Sequence, residues 1–336
     1  MNSNVRIRVD MMQEKKEQMP WLQELIEDLH EKYSDNLNGE VANYIPELGK
    51  ANPDHFGISV VTADGRIHQA GDYDKTFTIQ SISKPFTYGI ALELYGADKV
   101  AQHVGVEPSG DAFNSIELEK GSNRAFNPMI NAGAITIAAL LYDYYGDDAF
   151  DRLLNRFSAA AGRPLELDQA VYESESRTGH RNRAIGHLLL NFGMVPEKIE
   201  AALDLYFKQC SILVTSTDLA VMGATLANLG NNPITGQEVF DIDSVKDMLS
   251  IMFTCGMYDY SGQWAYKVGV PAKSGVAGGI VAIVNRQLSI ASYSPPLDAR
   301  GNSCRGINVC VDLASELGLH TFDCMNEGSS YLKALL

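Results

Sequence analysis

Two β-hairpin patterns stand at opposite ends of this 336-residue chain, and nearly everything between them is periodic for helix. The first is FGISVVTADGRIHQAG, two β-branched runs around Ala63-Asp64-Gly65. The second is GGIVAIV followed by LSIASYS, with a short turn at Asn285-Arg286-Gln287. Between them lie AITIAALLYDYYG, AFDRLLNRFSAAAG, PEKIEAALDLYFKQC, STDLAVMGATLANLG and DSVKDMLSIMFTCG, of which four close on Gly and one on Cys. An amphipathic helix over residues 13–33, with Trp21, Leu22, Leu25, Ile26 and Leu29 on one face, precedes the first hairpin. VCVDLASELGLHTF reads as a final helix after the second. This order predicts an α+β fold: an antiparallel sheet built from both chain ends, flanked by helices, with an all-helical lobe inserted over roughly 95–255. A cleft is expected where lobe meets sheet.

Length alone would allow two domains, but with no repeat, low-complexity tract or long linker, one cooperative unit with two lobes fits better. A net charge of −15 with no basic stripe argues against nucleic acid. The first twenty residues lack an apolar core and no apolar run is long enough to span a bilayer, so neither a signal peptide nor a membrane partner is expected. Five cysteines without CxxC spacing point to reduced, mostly buried thiols and the cytoplasm as default compartment. Seven histidines show no HExxH grouping, so no metal site is expected, and a GxSxG elbow is missing.

The chemistry begins at TIQSISKPFTYGIALELYG, where an apolar run turns helical. A helix starting near Ser81 places Lys84 one turn along on the same face. A lysine amine there could activate the serine if burial lowered its pKa by several units, and the helix N-terminus would favour a developing alkoxide. Ser83 points away and reads as scaffold. SxxK is a weak motif alone, and the simpler alternative is an ordinary helix start. PAKSGVAGGIVAIV strengthens it: Lys-Ser-Gly on a strand, following SxxK, is the pairing used by serine acyl-transfer enzymes of the penicillin-binding and β-lactamase type. Glycines 275, 278 and 279 would let a ligand approach the strand, or merely allow tight packing.

Three polar, glycine-containing segments remain: NPMINAGAI, YESESRTGHRN and CGMYDYSGQ. Singly, Asn127 or Asn131 could be a helix cap, Glu175 a surface acid and Tyr258 a core aromatic. No SDN triplet occurs, so a plain β-lactamase is disfavoured.

Taken together, NYIPELGK, QSISKPFTYGIAL, EPSGDAFNS, NPMINAGAI, SESRTGHRN, QCSILVTSTDLAVMGATLANLG, PITGQEV, CGMYDYSGQ and VGVPAKSGVAGGI resemble the serine-dependent glutaminase family in its compact bacterial form. The resemblance runs collinearly from about residue 40 to 312. It implies a catalytic domain over 40–312 of β-lactamase/transpeptidase-like fold, an N-terminal helical extension over 1–39, and a C-terminal helix and tail over 313–336. It also implies three catalytic residues, Ser81 as nucleophile, Lys84 as its activator and Tyr258 close to the nucleophile in the proton relay. Tyr44, Asn131, Glu175, Asn182 and Tyr206 would bind substrate, and the Val276 N–H would join that of Ser81 in an oxyanion hole. The implied activity is hydrolysis of the small molecule L-glutamine without a cofactor, in a homodimer or homotetramer. A β-lactamase- or DD-peptidase-like acyl enzyme, or a non-catalytic glutamine sensor, are the alternatives.

Overall fold

The computed structural model describes residues 19–110 and 115–323. Residues 13–18 of the lead helix, and Cys324, lie outside them. In chain order the helices are α1 (Pro20–Ser34), α2 (Ser83–Tyr95), α3 (Ala97–Val100), α4 (Asn131–Tyr145), α5 (Ala149–Ala161), α6 (Gln169–Thr178) and α7 (His180–Asn191). These are followed by α8 (Ile199–Cys210), α9 (Ser216–Ala227), α10 (Ile242–Cys255), α11 (Ser261–Lys267) and α12 (Cys304–Glu316). The strands are β1 (Gly57–Thr62), β2 (Ile67–Gly71), β3 (Phe77–Thr78), β4 (Glu166–Leu167), β5 (Ile212–Val214), β6 (Ala272–Gly275), β7 (Gly279–Val284) and β8 (Leu288–Tyr293).

Both hairpins form where the turn residues place them, and they join: β1 pairs antiparallel with β8, giving one five-stranded sheet in the order β2-β1-β8-β7-β6. The two-residue alternation of the strands sorts their side chains between two cores. Ile58, Val60, Ile280, Ala282 and Ile290 pack with Leu22, Ile26 and Leu29 of α1 and Val309 and Leu313 of α12. Val61, Val281, Ile283 and Ala291 face the helical lobe instead, where α9 lies across the sheet. The N-terminal helix is thus part of the layer covering the sheet.

The last helix differs from the sequence expectation. It begins at Cys304, because Ser303 caps it by accepting from the Gly306 N–H, and it ends at Glu316, where the Leu319 N–H turns back to the Ala314 carbonyl at 2.9 Å. It therefore runs through the expected 312/313 boundary. Two helices and a small sheet had no sequence signal. The polar segment 172–182 is helical on both sides of Gly179, within α6 and α7, and β3, β5 and β4 form a three-stranded ribbon too short for any periodicity to show.

A single buried arginine ties the sheet layer together. Arg305 donates to the Ser294 hydroxyl at 2.7 Å and to the carbonyls of Ser34, Pro53, Asp54 and His55. It thereby joins the end of α1, the loop before β1 and the end of β8 to α12.

Candidate active site

The ribbon positions the nucleophile candidate. Ile79, one residue past β3, donates its N–H to the Ile212 carbonyl at 2.8 Å, and the chain then turns through a 3₁₀ segment, Gln80–Ile82, into α2. The α-helix starts two residues later than Ser81. Lys84, three residues after Ser81, follows in the first turn of α2, and residues three apart in a helical turn share a face. Gln80 carries φ +50°, a left-handed conformation that is strained for a residue with a side chain. Ser81 is 6% exposed. Ser83 is fully buried and donates to the Gln80 carbonyl at 2.7 Å, bracing the turn.

Lys84 is buried, and its ammonium donates to Asn131 Oδ1 at 2.7 Å and to the Met129 carbonyl at 3.2 Å. Burial lowers its pKa to about 8, opposed by the nearby Cys210 and Glu175. Asn131 opens α4 without capping it, because its side chain is engaged elsewhere: Nδ2 donates to Asn182 Oδ1 at 2.9 Å. Asn127 is the structural member of that segment, its Oδ1 accepting from the Met129 N–H at 3.0 Å.

Glu175, on α6, is buried and pushed up to about 8 by desolvation, against a hydrogen bond from Gln80 and the charge of Lys84. Its Oε2 has no hydrogen-bond partner among the described residues. Tyr206 of α8 is buried and lies within electrostatic reach of Glu175 and Tyr44. Tyr44 is 55% exposed, and its phenol lies within electrostatic reach of Glu175 and Tyr258. A buried carboxyl with a free oxygen among amides and phenols is suited to receive an ammonium group.

Tyr258 follows α10 with φ +57°, hydrogen bonds to Ser81, and donates its hydroxyl to the Ser274 carbonyl at 2.9 Å. Burial raises its phenol well above the ordinary value, so it keeps its proton. The close approach behind this contact depends on Gly256, where a Cβ would meet the Ala272 carbonyl oxygen at 1.7 Å. On the other side, a Cβ at Gly275 would stand 3.0 Å from the Ile79 carbonyl oxygen, so β6 lies against the nucleophile turn. Val276 follows, 4% exposed, and its N–H finds no acceptor among the described residues. A crevice of about 370 Å³ opens beside Tyr258, Cys255 and Met129, and one of about 460 Å³ beside Val276 and Ala277. Ser81 lines neither, although Tyr258, which hydrogen bonds to it, lines the first.

The residues singled out from sequence are therefore gathered where α2, α4, α6 and α8 of the lobe meet the edge strand of the sheet. Sequence reasoning gave no role to Gln80, which holds Glu175, nor to Lys273 beyond its motif; both are buried beside the site. No group of three His, Cys, Asp or Glu side chains able to hold a metal occurs among the described residues, and Cys210, Cys255, Cys304 and Cys310 are free.

The five-stranded antiparallel sheet with its inserted helical lobe, and a Lys-Ser-Gly edge strand lying against the Ser81 turn, define a protein of the β-lactamase/transpeptidase-like fold class. The glutaminase family model matches residues 39–322. A glutaminase from Nostoc sp. is 56% identical over 92% of this chain and 92% of its own length, and one from Clostridium perfringens is 46% identical over 90% and 99%. Among solved structures, the probable glutaminase YbaS superposes with a TM-score of 0.88 at 39% identity, covering 91% of this chain and 99% of that one. A probable glutaminase from Bacillus subtilis in complex with 6-diazo-5-oxo-L-norleucine gives 0.82 at 37% identity, covering 91% and 98%. The chain belongs to the serine-dependent glutaminase family, whose members are amidohydrolases.

Proposed function

We propose that the chain hydrolyses the side-chain amide of L-glutamine to L-glutamate and ammonia through an acyl-enzyme on Ser81, with no cofactor in any step. The observation that carries this is the gathering of buried Ser81, Lys84, Tyr258 and Glu175, with Tyr258 hydrogen-bonded to Ser81 and Glu175 within charge range of Lys84. The neutral Lys84 amine takes the Ser81 proton, since Tyr258 holds its own too tightly to be the base. Ser81 Oγ attacks the amide carbon, and the N–H groups of Ser81 and Val276 receive the oxyanion. The proton passes, with Tyr258 as relay, to the departing nitrogen, ammonia leaves, and water cleaves the γ-glutamyl ester.

Glu175 takes the α-ammonium of the substrate, and Tyr44, Asn131, Asn182 and Tyr206 provide neutral polar contacts to the remainder of the head group. With the head group anchored, asparagine is one methylene too short to bring its amide to Ser81. The resemblance to glutaminases further suggests a homodimer or homotetramer in the cytoplasm, which light scattering and fractionation test. The deciding experiment compares ammonia release from glutamine and asparagine with turnover of a β-lactam, for the native chain and Ser81→Ala. Glutamine turnover lost in the variant supports the reading. Turnover of the β-lactam alone, or glutamine binding without ammonia, overturns it.

A further inference from the structure

The crevice beside Tyr258 is larger than the reaction proposed above needs. Tyr258 hydrogen bonds to Ser81 and, in that mechanism, passes the proton to the departing nitrogen, so the nitrogen leaves on the Tyr258 side. Tyr258 also lines the crevice of about 370 Å³. Ammonia is close in size to water, whose share of the liquid is about 30 Å³, so the space is about ten times what ammonia requires. Nor are the walls those of a mere path to solvent. Met129, Ile130, Phe253, Cys255 and Ala265 give it apolar surface. Its buried polar side chains direct their hydrogen bonds back into the chain. Asn127 donates to the Glu107 carbonyl at 2.9 Å and accepts from the Met129 N–H at 3.0 Å. The Ser261 hydroxyl donates to the Tyr258 carbonyl at 2.9 Å and accepts from the Met257 N–H at 3.1 Å. No lysine or arginine is among the described residues lining the crevice, so a carboxylate would meet no cation there. Glu175, Asn182 and Tyr206, proposed above for the head group, do not line it.

We infer that this crevice is a leaving-group subsite that accepts an alkyl substituent on the amide nitrogen, making γ-glutamyl-N-alkylamides a second substrate class. The inference rests on the Ser81 mechanism proposed above. Ser81 Oγ bonds to the γ-carbonyl carbon, the C–N bond breaks, and the nitrogen takes a proton through Tyr258 and departs as a neutral primary alkylamine. Water then cleaves the ester to glutamate, as with glutamine. The alkyl chain lies against Met129, Ile130 and Phe253. The same walls reject a substituent ending in a carboxylate, such as the second residue of a γ-glutamyl dipeptide.

The test measures kcat/KM for glutamine, for γ-glutamyl-N-methylamide through γ-glutamyl-N-butylamide, and for γ-glutamylglycine. From methyl to butyl it should rise, by up to about fourfold per methylene at full burial. γ-Glutamylglycine should lie about tenfold or more below the propylamide. Gly262, exposed on α11, also lines the crevice, and open space lies where its Cβ would stand. Gly262→Phe therefore fills the crevice and leaves the residues of the mechanism in place. It should lower kcat/KM for the butylamide about tenfold or more, with glutamine held within about twofold. If Gly262→Phe does not fold, Gly262→Leu is measured instead. No turnover of any alkylamide, a flat or falling series from methyl to butyl, γ-glutamylglycine equal to the propylamide, or equal losses for both substrates in the variant would overturn the inference. All of these leave Ser81-dependent glutamine hydrolysis standing. Failure of that mechanism shows separately, as glutamine turnover by Ser81→Ala.

Discussion

Lys84 and Asn131 meet at 2.7 Å inside the protein, joining the helix that follows the candidate nucleophile to the helix that opens the lobe. Asn131 passes this contact on to Asn182 at 2.9 Å, so the proposed base and the proposed head-group site share one amide. A change at Asn131 should therefore disturb both steps.

Asn131→Asp tests that coupling with a known sign. A carboxylate 2.7 Å from the ammonium favours its charged form and raises the Lys84 pKa above about 8. We expect the rising limb of kcat against pH to move to higher pH and activity at pH 7 to fall about 10-fold or more. An unmoved limb, read from initial rates across pH 6–10, would break the link between Asn131 and the base.

The native pH profile follows from two groups. Lys84, lowered to about 8, is charged below that pH and becomes a base above it. Glu175, raised to about 8, is neutral below that pH and becomes an acceptor for ammonium above it. Both active forms appear on the same side, so kcat/KM should climb between about pH 6 and 8, and glutamine binding near neutrality should release a proton. Calorimetry in buffers of different ionisation enthalpy reads that proton directly. For stability the sign for Glu175 is opposite: its raised carboxyl contributes fully below the ordinary value of 4.5 and is lost as pH rises through about 8. Glu175→Gln should flatten that part of the stability profile and raise KM.

Much of this arrangement was legible in the sequence because hairpin turns and helical periods are local. Ala63-Asp64-Gly65 and Asn285-Arg286-Gln287 marked both hairpins, and the strands of the second, β7 and β8, are buried along their whole length in the sheet. The ribbon that aims Ser81 was not legible, since two- and three-residue strands carry no period. Nor were α6 and α7, whose buried positions include Ser174 and Glu175 in place of an apolar stripe. The helix bearing Glu175 departs from the amphipathic rule where the proposed site needs a buried carboxyl. The role of Gln80 was invisible for another reason: it acts through a partner distant in the chain, Glu175.

Gly256→Ala should be among the most destabilising single-methyl changes. The new Cβ would fall 1.7 Å from the Ala272 carbonyl oxygen, both groups being backbone with little room to yield. We expect a loss of more than about 3 kcal/mol, together with displacement of Tyr258. Thermal unfolding within a degree or two of the native protein would contradict the packing described for β6.

Arg305→Met should act on the opposite face of the sheet. It strips hydrogen bonds from the carbonyls of Ser34, Pro53, Asp54 and His55 at once, and empties a site filled by a fully buried guanidinium. A cost of about 3 kcal/mol or more is expected, with α1 losing its hold on the sheet. Hydrogen exchange should show Leu22, Ile26 and Leu29 amides losing protection before those of the helical lobe.

The central claim is that glutamine passes through an ester on Ser81. Rapid quenching of the enzyme during turnover, followed by peptide mapping in a mass spectrometer, tests it most directly. The account predicts a γ-glutamyl adduct on the peptide containing Ser81, absent from Ser81→Ala, which stays folded and releases no ammonia. An adduct on another residue, or undiminished ammonia release by Ser81→Ala, would contradict it.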